Sequence, residues 1–121
     1  MTDAAIIAHR YIELWNETDL QRRKTLLVEL WNANGTYLDP LMQGQGHDQI
    51  EALISGVQSQ FPGFRFALVG QPDGYGDQVR FSWQLGPEAS GGPIKGTDFA
   101  TIENGRLKTA VGFLDQVPAA A

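Results

Sequence analysis

The hydrophobic period of this chain changes once, at Pro62-Gly63, and that change limits the folds open to it. Upstream, apolar residues recur every three or four positions, as on a helix with one buried face. Downstream they alternate with polar ones, as on strands with one wet face. A chain that places its helices first and its strands afterwards is α+β, with helices gathered on one face of a mostly antiparallel sheet. At 121 residues it forms a single domain over 1–121.

Ile7, Tyr11, Leu14 and Trp15 predict a first helix over 3–16, capped by Thr2 or Asp3. A second helix is expected over 19–32, opened by Thr18 or Asp19, with Leu20, Leu26, Leu27, Leu30 and Trp31 as its apolar positions. Asn34-Gly35 would end it through a left-handed C-cap. Thr36-Tyr37-Leu38-Asp39 is a short extended run halted by Pro40, which holds Asp39 at a strand end or turn. Gly44-Gln45-Gly46 reads as loop, and Ile50, Leu53, Ile54 and Val57 mark a third helix over 47–60. Strands follow at 64–69, 78–85, 94–102 and 106–116. Gln71-Pro72-Asp73-Gly74 is a turn signal, Gly86 to Pro93 a Gly/Pro-rich connection, and Asn104-Gly105 a hairpin signal.

Charge and cysteine content exclude several functions. Lys plus Arg number 9 against 14 Asp plus Glu, a formal charge of −5. Nucleic acid and anionic membranes both need a basic footprint, so neither is an expected partner. The one dense basic run, Arg22-Arg23-Lys24, reads as a solvated helix face. With no cysteine, disulfides, thiolate metal sites and cysteine nucleophiles are excluded. The N-terminus lacks a secretion signal and no stretch approaches the ~20 apolar residues of a membrane span. The expectation is a cytoplasmic protein. His9 falls on the polar side of its helix and His47 has no second histidine nearby, so no metal site and no cofactor are expected.

Asp98 is the most informative residue of the strand region. Ile94, Gly96, Asp98, Ala100 and Ile102 share one face of their strand, which sets an acid in an apolar row. Burial disfavours its ionised form and raises its pKa. On the next strand Ala110, Gly112 and Leu114 share a face; beside Asp98 these small residues would leave room for a ligand. A close-packed helix would use the same room. Asp39 could reach a cavity as a general base, or could simply bond nearby backbone amides. Tyr11 lies on the buried stripe of the first helix and needs a partner for its hydroxyl.

Taken together these residues resemble the SnoaL-like branch of the nuclear transport factor 2-like superfamily, over about residues 5 to 117. The resemblance is carried by Arg10-Tyr11 to Trp15-Asn16 with Asp19-Leu20, by Leu38-Asp39-Pro40 followed by Gly46 and Asp48-Gln49-Ile50, by Gly96-Thr97-Asp98-Phe99, and by Asn104-Gly105-Arg106-Leu107 through Gly112-Phe113-Leu114-Asp115. It implies a cone-shaped barrel, with three helices packed on the concave face of a curved sheet around an apolar pocket. It also implies a homodimer through the outer face, where Thr97, Phe99, Thr101, Val111 and Phe113 would otherwise stay wet. Within the superfamily the catalytic pattern most similar to this one is that of ketosteroid isomerase. That pattern has a tyrosine on the first helix, an Asp-Pro base and a neutral late-strand Asp that donates to an oxyanion.

Tyr11, Asp39 and Asp98 stand at those places. The implied activity is cofactor-independent isomerisation of a small apolar carbonyl compound. Asp39 would move the proton, and Tyr11 and Asp98 would bind the enolate oxygen. Trp15, Phe66, Val79, Phe81, Trp83, Ala100, Ala110, Gly112 and Leu114 would line the pocket. Alternatives are a ligand-binding domain without catalysis, or a cyclase or dehydratase in the same pocket. Gly112 stands where cyclase relatives carry an acid, which weighs against that chemistry.

Overall fold

The structure, a computed structural model, describes residues 3–87 and 92–118. Its elements are three helices, α1 (Asp3–Asn16), α2 (Leu20–Leu30) and α3 (Gly46–Gln60), and six strands, β1 (Trp31–Leu38), β2 (Gln43–Gln45), β3 (Arg65–Tyr75), β4 (Gln78–Gly86), β5 (Ile94–Glu103) and β6 (Arg106–Gln116). Thr2 and part of the Gly86–Pro93 connection lie outside the described residues.

The strands form one sheet in the order β2-β1-β6-β5-β4-β3. Neighbours are antiparallel except β1 and β6, which run parallel and join the two halves of the chain. The sheet does not close: β2 and β3 are its edges. α1 packs across β3 and β4, α3 against β1 and β2, and α2 touches both other helices. This is the α+β cone architecture, with an open mixed sheet in place of a closed barrel.

Five local readings need correction. α2 ends at Leu30, and Trp31 starts a strand instead of closing the helical stripe. A buried Trp satisfies either period, so burial alone could not place that boundary. Asn34-Gly35 lies inside β1, where the register slips between Trp31 and Thr36. Gly35 is needed there because a Cβ would stand 2.6 Å from the Trp31 ring. Gln43–Gln45 pairs antiparallel with β1 and is not loop. Gln71-Pro72-Asp73-Gly74 is not a turn: β3 runs on to Tyr75 through an irregularity between Val69 and Asp73. An edge strand tolerates Pro72, whose missing N–H breaks no ladder on the open side. The chain reverses instead at Gly76, with φ of 56°. The Asn104-Gly105 hairpin forms as expected, both residues at positive φ.

The fifth correction concerns the basic run. Arg22 and Lys24 are exposed, but Arg23 is only 5 % exposed. Its guanidinium donates to Glu51 Oε1 (2.7 and 2.9 Å), Gln58 Oε1 (2.8 Å) and the Glu17 carbonyl (2.9 Å). Gln58 Nε2 in turn donates to the carbonyls of Trp15 and Glu17. Carbonyls at a helix C-terminus lack helical partners, and here α2 and α3 supply them. Asn16 completes the clamp by exchanging two hydrogen bonds with the backbone of Phe66. The end of α1, which carries Trp15, is therefore fixed to α2, α3 and β3 together.

Candidate functional site

Strand alternation aims Asp98 inward. Along β5, Ile94, Gly96, Asp98 and Ala100 are buried, while Lys95 and Phe99 are exposed. The register shifts fall between Lys95 and Gly96 and between Thr101 and Ile102, so Asp98 keeps the inward face. It is 2 % exposed. Two glycines make space for it. Gly112 pairs with it across β6, and Gly96 lies under the Trp83 ring, which a Cβ would strike. The ring can then reach over: Trp83 Nε1 donates to Asp98 Oδ1 at 3.1 Å. From α1, the Tyr11 hydroxyl donates to Asp98 Oδ2 at 2.7 Å.

Asp39 stands just past the end of β1, before Pro40. Its Oδ1 accepts from the backbone N–H groups of Leu41 and Met42 at 2.8 and 2.9 Å, and its own N–H donates to the Met42 carbonyl. That is an Asx-type turn, the simpler of the two roles open to it. Its other oxygen, Oδ2, accepts from the Tyr37 hydroxyl at 2.7 Å. The two acids approach each other over Gly112. A Cβ at that position would lie 2.8 Å from Asp98 Oδ1, 3.3 Å from Asp39 Cβ and 3.5 Å from Tyr37 Oη.

Tyr11, Tyr37, Asp39 and Asp98 all border one cavity of about 430 Å³. Its walls are apolar: Trp15, Phe66, Trp83 and Leu114, as expected, with Ile12, Val57, Phe61, Leu85 and Ile94. Leu41, Met42, Val117, Pro118 and the polar Gln60 also border it. The other expected wall residues do not line it. Val79, Phe81, Ala100 and Ala110 lie in the packed core; Tyr11 of α1 packs edge-on against Phe81, centroids 4.9 Å apart. Gly112 shapes the cavity only by what it lacks. Sequence reasoning missed Tyr37, although it stands two residues from Asp39 and strand periodicity puts such residues on one face. It also took Trp83 only as a wall, overlooking its indole N–H. His9 is exposed, and His47 Nε2 pairs with the Trp31 carbonyl, outside the cavity lining.

Burial dominates the electrostatics. Loss of water pushes the Asp98 carboxyl up to about 6, the nearby charges of Asp39 and Asp115 add to the rise, and the hydrogen bonds from Tyr11 and Trp83 oppose it. The Tyr11 hydroxyl is raised well above its ordinary range by burial and then by the Asp98 charge. Burial likewise raises Tyr37. Both phenols are therefore hydrogen-bond donors and not bases.

The SnoaL-like domain model matches residues 8–110 of the chain. The chain belongs to the SnoaL-like family. A candidate isomerase of the same family from Agrobacterium tumefaciens is 44 % identical, with 95 % of this chain and 99 % of that one aligned at a TM-score of 0.90. A candidate polyketide cyclase from Sinorhizobium meliloti is 16 % identical over 88 % of this chain and 92 % of its own, TM-score 0.70. A candidate ketosteroid isomerase from Kribbella flavida is 13 % identical over 98 % and 82 %, TM-score 0.70. The last two share the fold and carry no argument about reaction. No protein of curated function matches the chain. Among the described residues, no helix of this SnoaL-like protein is long and apolar enough to cross a membrane.

Proposed function

We propose that this SnoaL-like protein is an isomerase-type enzyme that moves a proton next to the carbonyl of a small apolar substrate. The observation that carries the reading is the meeting of Tyr11, Asp39 and Asp98 at one apolar cavity. Asp39 Oδ2 takes a proton from the carbon beside the carbonyl, and the electron pair moves to the carbonyl oxygen. The same carboxyl then returns the proton to another carbon, so nothing is gained or lost overall. The enolate needs donors in a dry site, where each is worth several kcal/mol. Tyr11 is committed to Asp98 while Asp98 is ionised. Once Asp98 holds a proton it can donate to Tyr11 Oη, and the Tyr11 hydroxyl is released toward the substrate oxygen. A carboxyl raised to about 6 takes up that proton within ordinary pH.

The test is isomerisation or proton exchange of a β,γ-unsaturated ketone by wild type and Asp39→Asn. Loss of about a hundredfold or more in rate is expected for the variant. Equal rates remove Asp39 as the base. The Asx-type turn at Asp39 favours a second reading, a pocket that binds without turnover. Saturable ketone binding with no exchange in the wild type would establish that one.

The same reading includes a homodimer formed through the outer sheet face. Phe99 and Phe113 are 44 % and 54 % exposed there and pack edge-to-face against each other, a paired aromatic surface of the kind partners cover. A sedimentation run giving only monomer at micromolar concentration would refute it.

A further inference from the structure

The polar end of the cavity has spent its donors. Tyr11 Oη and Trp83 Nε1 are given to Asp98, and Tyr37 Oη and the Leu41 and Met42 amides to Asp39. The remaining indole of the lining, Trp15 Nε1, is buried without a partner and sealed from open space. An ionised carboxylate accepts about four hydrogen bonds. Asp98 receives two and Asp39 three, so both acids keep acceptor capacity toward the cavity, whose lining also includes the Gln60 amide. Among the described residues no Lys, Arg or His lines the cavity, and the buried cation Arg23 is held by Glu51. Two carboxylates thus share a mostly apolar hollow with no cationic side chain among the described lining residues, in a chain of net charge −5.

We propose that with both acids ionised the cavity binds an organic cation: a small apolar molecule whose protonated amine sits between Asp39 and Asp98. The ammonium supplies the N–H donors that the two carboxylates still lack. The rings of Trp15, Phe66 and Trp83 present faces and edges to the apolar body, and an aromatic face attracts a desolvated cation. The site is the cavity already described; the inference concerns the charge of its occupant. It does not depend on turnover, since it holds for the state in which Tyr11 is not free to polarise a carbonyl.

The two states respond oppositely to pH. A cation gains as Asp98 loses its proton, whereas an enolate-forming ketone needs that proton. The titratable groups that act on Asp98 are Tyr11 from α1, Tyr37 and Asp39 from β1 and the turn after it, and, from the outer face of β6, the charge of Asp115. Burial holds both phenols above the working range, and the Asp98 carboxyl, raised to about 6, changes its charge within it.

The experiment is a titration of the full chain, read by tryptophan fluorescence, with benzylamine, benzyl alcohol and benzoate. Benzylamine stays protonated from pH 5 to 8. At pH 7.5 it is expected to bind about tenfold tighter than benzyl alcohol, with benzoate weakest. The preference should shrink toward pH 5, and both Asp98→Asn and Asp39→Asn should weaken benzylamine several-fold more than benzyl alcohol. Equal binding of amine and alcohol at pH 7.5, or benzoate as the best ligand, overturns the proposal. Turnover of the neutral ketone tests the isomerase reading separately, so either can fail alone.

Discussion

Gly112 faces Asp98 across the β5–β6 ladder, and a side chain on Gly112 would begin 2.8 Å from Asp98 Oδ1. The same Cβ would lie 3.3 Å from Asp39 Cβ, so the glycine sets how near the two acids come. Gly112→Ala must therefore push Asp98 off Trp83 or move the turn at Asp39. Overpacking of this kind costs about 1–3 kcal/mol. Thermal unfolding should report the loss, together with a shifted tryptophan emission as the Trp83–Asp98 bond breaks. A variant with unchanged stability and emission would mean the site has slack that the structure does not show.

Asp98 makes stability depend on pH. Its folded carboxyl sits at about 6 against an ordinary value of 3.8. For an acid raised by folding, the contribution is fully present below the unfolded value and is lost as pH rises through the folded one. Between about pH 4 and 6 the fold should give up about 3 kcal/mol through this group. Asp98→Asn cannot ionise, so the wild type should lose stability relative to it across that window. Urea unfolding of both at pH 4 and pH 7 measures the difference. A constant difference would place Asp98 in contact with water.

Much of this site was legible in the chain because its residues sit on strict periodicities. Asp98 could be placed on a buried face by counting alternate residues, and Tyr11 by its step from Ile7 to Leu14. Other features depend on contacts between elements that no local pattern encodes. Arg23 belongs to a basic run that looks solvated until Glu51 and Gln58 of α3 close over it. Ala100 and Ala110 are small and inward-facing, which suits a void or close packing equally; both are buried in the packed core. Trp31 fits the end of a helical stripe as well as the start of a strand, and its parallel pairing to Leu107 decides between them.

Tyr11→Phe should move the Asp98 carboxyl further up. The hydrogen bond from Tyr11 favours the ionised form, so its loss leaves burial less opposed. Trp83→Phe should act in the same direction through Oδ1. Carbon-detected NMR titration of the Asp98 carboxyl reads both directly. A fall in either variant would mean that water enters where the donor was removed. Stability at neutral pH should drop by about 1–3 kcal/mol in each, the cost of leaving a buried acceptor unpaired.

Arg23 predicts an asymmetry between neighbours in the basic run. Arg23 and Glu51 have side chains 6 % and 17 % exposed, whereas Arg22 is 66 % exposed beside Glu17. Removing one partner of a buried pair strands the other, at about 3–5 kcal/mol. Removing an exposed partner costs under about 1 kcal/mol. Arg23→Met should therefore lower the urea midpoint strongly and Arg22→Met hardly at all. Adding Glu51→Leu to Arg23→Met should restore part of the loss, since the stranded carboxylate is gone. The effect should also reach the cavity. Arg23 and Gln58 together hold the Glu17 carbonyl, and Gln58 holds that of Trp15, so Arg23→Met should redden Trp15 emission before global unfolding. Equal midpoints for the two Arg variants would show that the Arg23 cluster is solvated and does not anchor α1.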